Sequence, residues 1–286
     1  MTTSSPPAAR TPRAVAAPSP AALPRSPKRP PRDLGAKVFV VVVLLFLFAP
    51  MLVIVLFSFH DSTRLSLPFE GFSLRWYQDI WDDELVRRAF ERTARAAVLT
   101  GLVTGVLAMS ASLALVHFRV RVRATVLFLA ALPMAFPVLL YSIGLAIVYH
   151  EVGIGFSLNA SIAGHVIIAL PFVFLVIGSA LERFRYSLLD AATDLGASKT
   201  RAFFTITLPL ILPAVLGATL LAMALSADEF VVAFFTAGQD KTLPLVMYGR
   251  LTSGADPSLN AIATVLMVVT TGLAFISARR TTKEVA

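Results

Sequence analysis

Six stretches of this chain stay apolar for about twenty residues each, and a chain built that way has few folds open to it. Residues 38–59 and 96–118 carry no charged side chain. Residues 124–149 carry none either, but hold Pro133 and Pro137. Residues 161–181 include His165 and Pro171, and residues 213–235 are apolar except for Asp228 and Glu229. Residues 260–278 are shorter and uncharged. A bilayer core of about 30 Å takes about 20 residues of helix to cross. Backbone groups in lipid must be paired within the protein, so these segments read as helices, and the alternation of a barrel strand is missing. The prolines must kink their helices, with neighbours covering the freed carbonyls. The expected fold is an all-α membrane protein with six transmembrane helices.

Composition excludes the competing classes. Hydrophobic residues make up 57% of the chain and charged residues 15%, against about 45–50% and about 25% in soluble domains. One soluble core cannot hide that excess. Cysteine is absent, which rules out disulfides, thiol catalysis and cysteine-held metals. Residues 38–59 read as a retained anchor: the stretch is too long for a signal peptide, and Ser58-Phe59-His60-Asp61 lacks a small-x-small cleavage site.

The net charge of +8 sorts by side of the membrane. With six spans, 17 of the 25 basic residues fall on the side of the N-terminus, which places both termini in the cytoplasm. Arg87, Arg88, Arg92 and Arg95 oppose the trend, among Asp82, Asp83, Glu84 and Glu91. Ile80, Trp81, Leu85, Val86 and Phe90 there predict an amphipathic helix at the interface, and Trp76, Tyr77 and Trp81 suit an aromatic belt. Residues 1–37, rich in Pro, Ala, Ser and Arg, read as a disordered cytoplasmic tail that serves solubility and topology or touches anionic lipid through Arg25, Lys28, Arg29 and Arg32. Residues 279–286 form a second short tail.

The segment at 182–209 carries the most information. Ser187 and Asp190 make a Ser-x-x-Asp capping box. Leu188, Ala191, Ala192 and Leu195 then share one helical face, with Gly196 at the position of a terminating glycine. Ser198 can cap a second helix through Ile206, ended by Pro209. Two short helices with alanines on the ridge suit either close approach by another protein or rest on the lipid surface.

This stretch resembles the "EAA" loop in membrane subunits of bacterial binding-protein-dependent ABC importers. The residues that carry the likeness are Asp190, Ala191, Ala192, Gly196, Ile206, Leu208 and Pro209, with Asp190 where the family pattern has Glu. The resemblance implies a type I importer permease (MetI-like) fold over residues 38–278. It also implies a coupling helix that docks on a cytoplasmic ATPase. Further boxes look like the second permease of the spermidine/putrescine group. They are Gly71-Phe-Ser-Leu-Arg-Trp-Tyr77, Gly164-His165, Leu170-Pro171-Phe172, the run from Ser226 to Thr236, Thr242-Leu243-Pro244-Leu245, and Leu259 to Thr264.

The resemblance implies these partners: a homologous sister permease, two ABC ATPase subunits and an extracytoplasmic solute-binding protein, assembled in the bacterial inner membrane around a path for a polyamine or similar cation. No nucleic acid is implied. ATP is used by the partner, since the chain has no Gly-rich Lys-Ser/Thr phosphate loop and no nucleophile–base set. No cofactor or metal is expected on the chain itself; His150 and His165 lack ligand spacing and read as structural.

Asp228 and Glu229 leave two readings open. Ionisable groups within a span are costly and usually functional, and a carboxylate in a low-dielectric path stabilises a cation. Alternatively span 5 ends near Ala227, and the pair is solvated or caps a short outer helix. A rival function is an ion-gradient-driven secondary transporter or channel using the same carboxylates, which leaves the alanine–glycine loop without a role. Gly101-x-x-x-Gly105 on span 2 suits close helix packing.

Overall fold

The computed structural model describes residues 34–62, 69, 71–117, 123–254 and 257–282. Apart from one isolated bridge between His60 and Phe72, the regular structure of these residues is helical. Residues 1–48 and 49–286 form two compact units. The described part of the first unit is the start of α1, Leu34–Phe57. Its side chains, Val38 to Phe48 among them, are exposed and apolar all round, the pattern of a helix solvated by lipid. Residues 34–37 are already helical, not tail, and the tail expected over residues 1–33 lies outside the described residues.

In the second unit, the chain leaving α1 is tied down at once. The Trp76 indole N–H donates to the His60 carbonyl at 2.7 Å, and the Ser58 and Tyr77 hydroxyls pair at 2.7 Å. Both rings sit on α2, Arg75–Asp82. The single interfacial helix expected through Ile80 and Phe90 does not form. Asp83 is extended (φ −75°, ψ 110°), and its Oδ1 accepts the Leu85 and Val86 amides at 2.8 and 3.2 Å. An aspartate in that conformation starts a new helix instead of continuing the old one. The new helix is α3, Glu84–His117. Its 34 residues span about 51 Å, well beyond the hydrocarbon thickness. Ile80 and Val86 are buried while Trp81, Leu85 and Phe90 are exposed.

Four long helices make the core. They are α3, α6 (Leu158–Glu182), α9 (Leu208–Asp228) and α12 (Ser258–Thr282). The helix α9 lies against the other three, and α3 runs along α6. Small side chains set the spacing: Ala108, Ala169, Ala218 and Ala222 are buried at the seam of α3, α6 and α9. The glycine pair on α3 is used as its spacing suggested. A Cβ on Gly101 would lie 2.5 Å from Met223 Cγ and 3.0 Å from the Thr219 carbonyl, and one on Gly105 would lie 2.6 Å from Thr219 Oγ1. A second cluster packs Trp76, Ile80 and Val86 against Leu243, Ile262 and Leu266.

The third predicted span is broken. It consists of α4, Arg123–Ala135, and α5, Val138–Glu151, with a bend of 105° between them. Pro137 is responsible, because it sits in the extended region (φ −56°, ψ 128°) and can neither donate to α4 nor allow a helical residue before it. Pro133, by contrast, stays inside α4. With 13 and 14 residues, neither half is long enough to cross alone. Among the described residues, five helices are long and apolar enough to span, and the bent pair taken as one makes six.

The helix ends after α6 also depart from expectation. Ser187 does not cap α7, Ser187–Asp194. Tyr186 precedes it already in helical conformation (φ −61°, ψ −23°), and the Arg185 and Tyr186 carbonyls take the leading amides of Leu188 and Leu189. Pro209 does not end a helix either. The chain continues from α8, Lys199–Ala202, through a π-turn at Phe203–Thr207 into α9, a run from Lys199 to Asp228. The π-turn shifts the bonding register just ahead of the residue that lacks an N–H, so the proline enters at the first turn of a fresh helix. Span 5 thus ends at Asp228, and residues 231–236 form the separate α10, Val231–Thr236. The remaining helix, α11, is Leu243–Ser253.

Candidate functional site

The loop between α6 and α9 stands clear of the core. No residue of α7 is buried, Leu195 is 90% exposed, and Asp190 and Ala191 are exposed with it. Gly196 ends the helix with φ +82°, its amide donating to the Thr193 carbonyl at 2.9 Å while Ala197 donates to Ala192 at 2.9 Å. That pair of bonds is a Schellman close, which needs a residue free to adopt positive φ. Ser198 caps the next helix as the sequence suggested, accepting from the Arg201 amide at 3.3 Å. At the other end, the Tyr186 hydroxyl donates to the Leu181 carbonyl at 3.0 Å and fastens the loop to α6. The result is a short helix, braced at both ends, with Ala191 exposed, Ala192 half-buried, and Leu188 and Leu195 held outward. Ile206 and Leu208 are half-buried behind it, and Pro209 is exposed.

At the far end of α9, the structure separates the two carboxylates. Glu229 is half-buried and committed: its Oε1 accepts the amides of Val231 and Val232 at 2.9 and 3.1 Å, satisfying the start of α10. Asp228 is exposed, and its carboxylate makes no hydrogen bond or ion pair with the described residues. It opens onto a groove of about 400 Å³ between α9 and α12, lined by Leu221, Ala224, Leu225 and Glu229 on its own side and by Thr270, Thr271 and Ala274 on the other. In this groove the Asp228 carboxylate, with Glu229 beside it, faces two hydroxyl-bearing residues of α12. Thr270 and Thr271 carry no sequence signal of their own; only the packing of α12 on α9 brings them near.

His165 is placed in the core. Its Nδ1 pairs with Ser226 Oγ at 2.8 Å, and Ser226 donates to Thr100 Oγ1 at 3.2 Å, so one buried chain joins α6, α9 and α3 two residues before Asp228. Beside it, Ser161 and Thr236 pair at 2.9 Å, and the Tyr141 and Tyr149 hydroxyls of α5 donate to the Gly164 and Ala160 carbonyls of α6. Sequence reasoning missed the ties at the ends of the helices. Asp240 accepts from the Leu158 amide at 3.0 Å and from Arg92 at 3.2 Å. Thr93 Oγ1 accepts the Leu243 amide at 2.8 Å, and Asp83 is bridged by Arg250. These residues look like ordinary solvated polar positions in the sequence, since their partners lie up to 167 residues away.

Residues 97–283 match the family described as the binding-protein-dependent transport system inner membrane component. The chain belongs to this family. It is a multi-span helical permease subunit of a binding-protein-dependent ABC importer, with the MetI-like fold. Among its relatives, the putrescine transport system permease protein PotI of Escherichia coli (strain K12) is 32% identical over 239 residues, covering 80% of this chain and 85% of that protein. The spermidine/putrescine transport system permease protein PotC of Haemophilus influenzae is 30% identical over 247 residues, covering 86% and 96%. The fold is shared with a solved bacterial ABC transporter that imports the acidic polysaccharide alginate. There the TM-score is 0.62 at 15% identity, over 87% of this chain and 95% of that one. The inward-facing methionine transporter MetNI gives 0.55 at 16%, over 71% and 99%.

Proposed function

We propose that this permease forms half of a translocation path for a polyamine or similar small organic cation, delivered from outside by a solute-binding protein and driven by a separate ATPase. The observation that carries the reading is α7 and its end, with Ala191 and Leu195 exposed, Ala192 half-buried and Gly196 closing the helix, in a chain whose relatives include polyamine permeases. An apolar side chain held outward between two braced ends is costly to leave in water and suits a groove on a partner. ATP-driven movement of that partner then reaches α9 directly, because α8, the π-turn and α9 run on as one helical stretch from Lys199 to Asp228. Displacement of the loop is carried to Asp228 at the other end, which is the geometry alternating access needs.

In this reading both termini and α7 face the cytoplasm, following the excess of basic residues on that side. Asp228 is the carboxylate that meets the cation, and Glu229 is the structural cap. A sister permease completes the path along the groove between α9 and α12, with one ATPase beneath each permease. Reconstitution in proteoliposomes with the ATPase and binding protein tests the whole. Labelled putrescine is to accumulate with ATP, whereas an imposed ion gradient without ATP is to give none. Uptake on the gradient alone would return the carboxylates to the secondary-transporter reading.

A further inference from the structure

Beside the coupling loop lies a second cavity, of about 290 Å³, that the transport reading does not use. Its walls are Ala180 at the end of α6, Phe184, Leu188 of α7, and Leu210 and Ile211 at the start of α9. Its rim carries Arg183 and Arg185 and no carboxylate. Both arginines are exposed, and neither side chain pairs with a described residue. Leu210 is 51% and Leu188 41% exposed, so the apolar wall is open as well as the charged rim. The cavity sits where the apolar part of α6 gives way to the charged loop, the depth at which lipid headgroups lie.

We propose that this cavity is a binding site for one anionic phospholipid, with its phosphate held by Arg183 and Arg185 and an acyl chain laid against Leu188, Leu210 and Ile211. The chemistry of the rim selects the charge of the ligand. Two guanidinium groups at a cavity whose lining holds no carboxylate suit a phosphodiester, which each can bind by a forked pair of N–H donors. The apolar wall selects a lipid over free phosphate. Basic pockets between membrane helices on the cytoplasmic side are known to take anionic headgroups. The site lies at the hinge between α6 and the coupling loop, so an occupied site stiffens the segment that brings Tyr186 onto Leu181. The proposal rests on membrane embedding and not on the substrate or the direction of transport.

The test uses the assembled importer, extracted with its lipids and examined by native mass spectrometry. Each basic group at an anionic surface is worth about fivefold in affinity, so the double variant Arg183→Gln/Arg185→Gln is to retain phosphatidylglycerol about 25-fold more weakly than the unmodified complex. Arg183→Lys/Arg185→Lys keeps the charge and is to retain most of it, which guards against a simple folding defect. Added inorganic phosphate is not to displace the lipid. Equal phosphatidylglycerol retention in the Gln variant overturns the proposal. So does unchanged lipid retention with loss of the ATPase subunits, which assigns the arginines to the protein partner. Because the readout is bound lipid, it stands apart from any failure of polyamine uptake.

Discussion

At the scale of single residues, the positions with least freedom are those where backbone meets backbone. Gly238 has φ +59°, and a Cβ there would lie 2.8 Å from the Phe156 carbonyl oxygen. Neither the strain nor the contact can relax by a side-chain rotation. Gly238→Ala is therefore expected to cost more than the ~1 kcal/mol of a positive-φ glycine alone, read as a lower unfolding temperature in detergent. Asp228 and Glu229 are neighbours with opposite commitments, and their variants should part accordingly. Asp228→Asn keeps the fold and should lower cation uptake on the order of tenfold or more, since it removes a charge–charge attraction in a weakly screened groove. Glu229→Gln keeps a carbonyl oxygen for the Val231 and Val232 amides and should retain uptake. Glu229→Ala should lose about 1 kcal/mol of stability through the orphaned amides. Uptake and melting of the three variants, measured side by side, check the division of roles. If Glu229→Gln abolished uptake as Asp228→Asn did, the assignment of Glu229 to capping would fail.

At the scale of elements, helix ends decide where the chain turns. Asp83 does two jobs, since one carboxylate oxygen caps α3 while the other meets Arg250 of α11. Asp83→Asn keeps the capping oxygen and loses the ion pair, whereas Asp83→Ala loses both. The first should cost less than about 1 kcal/mol, as a partly exposed pair does, and the second about 1 kcal/mol more. Thermal unfolding of the two variants gives the order directly. The Schellman close at Gly196 is the equivalent device on the loop between α6 and α9. Gly196→Asp puts a Cβ and a charge on a positive-φ position and should weaken co-purification of the ATPase while leaving the permease in the membrane. Undiminished co-purification would sink the docking role of α7.

At the scale of the whole molecule, long-range polar ties hold together segments that lipid alone would let drift. In a bilayer the apolar faces gain little by meeting each other, so close packing and buried hydrogen bonds carry the association. The glycine seam of α3 on α9 and the His165–Ser226–Thr100 chain supply both for the second unit. Gly105→Leu drives a large side chain into Thr219 and should separate α3 from α9, seen as loss of a monodisperse complex at extraction. The His165 chain ends two residues from Asp228, so it also fixes where that carboxylate stands.

Much of this was legible before any tertiary structure. Apolar length determined the class, because lipid leaves helices as the only continuous solution for such segments. Spacing around Asp190 to Gly196 determined a short helix closed at Gly196, because a terminating glycine and a helical face are local properties. Local rules failed where two devices competed for one end. Pro209 reads as a stop until a π-turn lets the helix resume before it, and Ser187 reads as a cap until Tyr186 enters the helix ahead of it. The adjacent Asp228 and Glu229 have the same chemistry in sequence. Only the end of α9, the start of α10 and the approach of α12 set both beside one groove and made Glu229 alone a cap. Local bonding rules are written in neighbouring residues, but which carboxylate remains uncommitted depends on atoms brought together from distant parts of the chain.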